Sequence, residues 1–161
     1  MTTKADYTDE EWAALRRAPL VAGLAVSFAD PGGPIELTKE SMAARRAIAK
    51  PPGDEPLLIT LSQDAMAHER ENADLKHALD LKASSAREQI ADELRRVAGI
   101  VSQKATPEEA AAFREWMITA AQDAANAAKE GGFLGIGAVR VSEGEERMLA
   151  TLRDILGMPA A

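Results

Sequence analysis

Apolar residues recur along this chain mainly at three- and four-residue steps, the period of an amphipathic helix. Trp12, Leu15, Leu20, Leu24 and Phe28 form the first such stripe, with mixed three-, four- and five-residue steps. It starts at Thr8, and Glu11 three residues on completes the spacing of a capping box. Pro19 lies inside the stripe and, lacking an amide donor, is expected to kink or divide the helix. The turn sequence DPGGP, Asp30–Pro34, ends it, and Thr38 opens a second helix, TKESMAARRAIA. KPPGDEP, Lys50–Pro56, reads as a linker-like segment.

The pattern from Leu57 to Lys82 is again helical. PLLITL alone also fits a short strand, but SQDAMAHERENADLKHALDLK continues from it without a break, which favours helix. Ile90, Leu94, Val97 and Val101 then step by four, three and four. The next start is the strongest, with Thr106 as N-cap, Pro107 at the first helical position and Glu109 closing a box. Phe113, Met117, Ala121, Ala124 and Ala128 line one face of that helix. Ser142 and Glu145 cap the last, whose apolar positions are Met148, Leu149, Leu152, Ile155 and Leu156.

GPIELTKE, Gly33–Glu40, is echoed by GAVRVSEG, Gly137–Gly144. Both read glycine, any residue, β-branched, charged, apolar, hydroxyl cap. The expectation is an all-α, single-domain bundle of five to seven helices over residues 1–161, with two pseudo-repeated helix–loop–helix units. Ile35–Leu37 and Val139–Val141 are then expected side by side as short extended pieces.

Composition narrows the functions. The 161 residues are 46% apolar but hold only three Phe, two Trp and one Tyr, so the core must be built from small and aliphatic side chains. At this length a compact domain buries roughly 70% of its unfolded surface, enough for a core without staples. The net charge is −7, and residues 1–50 hold seven basic and seven acidic groups, so the excess lies beyond them. Acidity and the lack of a Lys/Arg stripe argue against nucleic acid as a partner. Without cysteine there are no disulfides, thiolate metal sites or cysteine nucleophiles. No apolar run approaches a membrane span, so no membrane partner and a cytoplasmic location are expected.

The candidate chemistry is sparse. Gly131–Gly137 carries four glycines, but a helix precedes it and no Gly-Lys-Ser/Thr follows, so it reads as a bend and not a phosphate loop. His68 and His77, nine residues apart, fall on opposite faces if one helix carries both. Asp74 and His77 hold the i, i+3 spacing of a di-iron motif in a single copy, whereas such bundles need two. The twelve residues from Asp30 miss the calcium-loop pattern at Gly32, Pro34, Ile35 and Ser41. Arg45, Arg46 and Lys50 suit a helix C-terminus. The candidate metal ligands are thus Asp30, Glu36, Asp74 and His77, too scattered to form a site. No catalytic residue, cofactor-binding residue or cofactor is expected.

FADPGGPIELTKESM and GFLGIGAVRVSEGEERML, each after a long helix, resemble the TerB-like (tellurite-resistance) helical family, where a turn and a short extended piece lead into a Thr/Ser-capped helix with early Glu. Of that family's acidic positions only Asp30 has a counterpart. The whole chain also resembles a group of bacterial helical proteins of unknown function that end in a segment similar to GGFLG…VRVSE. The resemblance implies an all-helical fold and a stress-linked bacterial role. Two function classes follow: a non-enzymatic interaction or scaffold module, acting on a protein partner or as a homo-oligomer, and a TerB-like stress-response protein binding a metal ion or small ligand. An enzyme ranks behind both.

Overall fold

A computed structural model describes residues 1–29, 45–68, 85–129 and 143–158. A 3-10 helix, Lys4–Asp6, precedes α1 (Asp9–Ser27). A helical stretch at 45–49 leads into α2 (Pro56–Ala67), followed by α3 (Ala86–Lys104), α4 (Pro107–Lys129) and α5 (Glu143–Ile155). The protein is all-α, as expected, and no strand occurs among the described residues. Thr38, Ser142, Ile35–Leu37, Val139–Val141 and the glycine segment Gly131–Gly137 lie outside the described residues, and the pseudo-repeat with them.

The predicted box at the start of α1 forms: the Glu11 amide donates to Thr8 Oγ1 at 3.2 Å and the Thr8 amide to Glu11 Oε2 at 2.8 Å. Asp9, Glu10 and Glu11 add negative charge where the helix dipole favours it. Pro19 does not divide the helix, which runs unbroken to Ser27. Its missing N–H deprives the Leu15 carbonyl of its usual donor. Packing compensates, because α1 lies against α2, α3, α4 and α5 together. Ala14, Leu15, Ala18, Val21, Ala22, Ala25 and Val26 are buried, whereas Leu20, Leu24 and Phe28 from the expected stripe are only partly covered. The buried surface of α1 is thus wider than one stripe and differently centred.

Residues 57–61 are helical, within α2. Pro56 sits at the first helical position, where a missing amide costs nothing. The expected run to Lys82 is interrupted at His68, the C-cap of α2, whose φ of −105° and ψ of 31° leave the helical region. Its amide donates to Asp64 O at 3.1 Å. One helix therefore does not carry both histidines, and His77 lies outside the described residues.

In α3, Ile90, Leu94, Val97 and Val101 are all buried, as their spacing predicts. In α4, Phe113, Met117, Ala121 and Ala124 face the core, joined by Trp116, Ile118 and Ala120. Trp116 Nε1 donates to Ala47 O at 2.8 Å and Ser62 Oγ to Ile48 O at 2.8 Å, so two buried side chains satisfy carbonyls near the end of the 45–49 helix. Gly157, at φ +68°, ends α5. Its amide donates to Asp154 O and that of Met158 to Arg153 O, the paired bonds of a Schellman cap that needs a left-handed residue.

Gly99 sits within α3, and a Cβ added there would meet nothing within 4 Å. Gly99→Ala is expected to stabilise the fold by about 0.5–1 kcal/mol by lowering unfolded-chain entropy. A rise of about 1–4 °C in the thermal midpoint is the matching readout.

Candidate functional site

Two polar nodes and an apolar cleft stand out among the described residues. The first node is Asp64, on the last turn of α2. Trp12 Nε1 donates to Oδ2 at 3.0 Å and Arg16 Nη1 to the same oxygen at 3.3 Å. Lys4 Nζ lies 3.5 Å from Oδ1, and His68 Nδ1 lies 3.6 Å from it and 2.8 Å from the Asp64 carbonyl. Burial raises the Asp64 pKa, but the Trp12 and Arg16 bonds and the Lys4 charge outweigh it and hold the carboxyl below its ordinary value. Arg16 is itself buried, so this carboxylate neutralises a cation that α1 carries into the core.

The second node is Glu109, 1% exposed in the first turn of α4. Its Oε2 accepts from the Thr106 amide at 2.9 Å, and the Glu109 amide donates to Thr106 Oγ1 at 3.3 Å, giving the predicted capping box. It also accepts from the Thr2 amide at 2.6 Å and the Thr2 hydroxyl at 2.9 Å, across 107 positions of sequence. Burial pushes this carboxyl up, and the bonds from Thr106 and Thr2 bring it below its ordinary value. Both nodes spend their acceptors on holding elements together.

The cleft lies between the end of α1, the first half of α3 and the second half of α5. Ala25, Phe28, Ile90, Ala91, Leu94, Met148, Leu152 and Ile155 supply its apolar lining, and Arg87, Glu88 and Thr151 its polar margin. Its volume is about 270 Å³. Arg87 Nε donates to Phe28 O at 2.7 Å and Nη2 to Ala29 O at 3.4 Å, and Thr151 Oγ1 donates to Arg147 O at 2.8 Å. These polar side chains therefore turn toward backbone carbonyls.

The candidate ligands Asp30, Glu36, Asp74 and His77 lie outside the described residues. Among the described residues no group of three or more His, Asp or Glu side chains is placed to hold a metal ion. None of the described helices is long and apolar enough to cross a membrane. Neither the cleft nor the Asp64 node was named from sequence. The cleft residues Ile90, Leu94, Met148, Leu152 and Ile155 stood in the apolar stripes, but periodicity does not say which stripe positions a neighbour leaves uncovered. Comparison with protein-family models, curated proteins and solved structures finds no match to this chain.

Asp64→Asn is expected to destabilise the protein by about 1–3 kcal/mol at pH 7, because Trp12 and the buried Arg16 lose the charged carboxylate to which both donate. A carboxyl with a lowered folded-state pKa stabilises fully above its unfolded value and loses that contribution as pH falls. The difference between variant and parent in urea unfolding should therefore shrink as the pH drops below 3.8, the ordinary Asp value.

Proposed function

We propose that the chain is a non-enzymatic helical interaction module whose protein partner seats apolar side chains in the cleft between α1, α3 and α5. The cleft itself carries this reading. Its volume of about 270 Å³ falls just below the roughly 300–1,000 Å³ of typical small-molecule pockets, a scale that suits side chains of a partner. Met148 on its wall contributes a flexible, polarisable thioether, the kind of side chain that adapts to an incoming surface. The carboxylates with depressed pKa values, Asp6, Glu11, Asp64 and Glu109, are engaged in caps or cross-helix bonds and lie outside the cleft lining, which fits binding more simply than catalysis.

A photoreactive benzoylphenylalanine at Thr151, on the cleft margin, tests the reading in native cells. Irradiation is expected to yield one protein adduct, with the crosslink mapped by mass spectrometry to an apolar residue of the partner. The same probe at Glu115, exposed on α4 and outside the cleft lining, should give none. Ala91→Lys, placing a charge in the cleft, should abolish the Thr151 adduct. Equal labelling from both positions, or an adduct that survives Ala91→Lys, would refute the proposal. An adduct between two copies of this chain would identify the partner as itself.

A further inference from the structure

The segment ahead of α1 has little apolar anchorage. Of residues 1–8 only Tyr7 is buried. The other attachments are polar, and most end on carboxylates. Glu109 holds the Thr2 amide and hydroxyl and Asp64 holds Lys4, while within the segment Asp6 accepts from the Thr3 amide at 2.8 Å and hydroxyl at 2.9 Å. Lys104 of α3 reaches across to Asp6 O at 3.2 Å and to the Glu11 carboxylate. Beneath lie the Tyr7 and Trp12 rings, 7% and 2% exposed with centroids 5.7 Å apart. Lys4 stands 5.7 Å over the Trp12 ring and Lys104 5.6 Å over the Tyr7 ring.

We propose that residues 2–7 form an acid-releasable strap over Trp12, detached when Glu109 and Asp64 are protonated while the helical core stays folded. The core beneath is built on Leu15, Val97, Phe113 and Met117, whose side chains do not titrate. The strap has the opposite constitution. Glu109 faces Thr2, Tyr7, Thr106 and the Met1 amino group. Asp64 faces Lys4, Trp12, Arg16 and His68. Asp6 faces Thr3 and Lys104, and the adjoining Glu11 faces Thr8 and Lys104.

A charge-assisted bond to a carboxylate is roughly twice as strong as a neutral one, so protonation weakens each tie. Lys4 and Arg16 then lose the negative charge that both approach. All of these carboxyls are held below their ordinary values of 3.8 and 4.5, so the ties are complete above that range and fail as the pH falls beneath it. Local opening of this kind needs far less free energy than global unfolding where few apolar contacts are broken.

Fluorotryptophan incorporated at both tryptophans tests the proposal in the full chain. Trp12 reports on the strap, and Trp116, buried against Ala47, reports on the core. On acid titration the Trp12 fluorine resonance should shift at a higher pH than the Trp116 resonance and the helical circular dichroism. Coincident changes at one pH would overturn the proposal. Glu109→Gln supplies a second reading at pH 7: hydrogen exchange of the Tyr7 amide, bonded to Lys4 O, should quicken at least tenfold with the Trp116 resonance unmoved. An unchanged rate would overturn it equally.

Discussion

A helix enclosed by neighbours must be apolar nearly all round, and small wherever another helix comes close. α1 meets that requirement with Ala14, Ala18, Ala22 and Ala25 beside Leu15, Val21 and Val26. A more peripheral helix needs less, and α3 shows how little suffices: Ile90, Leu94, Val97 and Val101 are its large contribution. The enclosure also explains why Pro19 is tolerated, since the helix around it is held from outside. It also carries Arg16 inward with the apolar residues, where Asp64 of α2 meets it. The order of the bundle and this ion pair thus share one origin.

Much of this was legible from spacing alone. The boxes at Thr8 and Thr106 rest on short-range geometry, and the structure forms both with the bonds expected. The α3 face follows from steps of four, three and four. Where several sides of a helix are buried, period fails as a guide: the α1 stripe through Leu20, Leu24 and Phe28 picked residues that are only partly covered. The strand-like PLLITL proved helical because Pro56 starts a helix well and Leu57, Leu58 and Leu61 all find core. The stop at His68 had no glycine or proline to announce it.

The polar nodes were hidden for a different reason. Asp64 lies 52 positions from Trp12 and Glu109 lies 107 from Thr2, and no local pattern encodes such pairings. Glu109 was visible as a cap, and its second role requires knowing that the chain start crosses the head of α4. The cleft depends on how closely three helices approach, which is a property of their packing and of no single stripe.

The end of α1 has a consequence for cooperativity. Its last turn contains no basic residue to match the exposed carbonyls. The cation comes from Arg87, 59 residues after Phe28, which binds the Phe28 and Ala29 oxygens from the first turn of α3. Placed near the start of its own helix, that guanidinium is unfavourable for α3 until α1 is there to receive it. Each helix therefore finishes the other. A chain in which α1 formed alone would fray at this end, and one in which α3 formed alone would carry a misplaced charge. Local helix formation and long-range docking are bound into one event here, so these two helices gain or lose this junction as a unit, however far apart the sequence sets them.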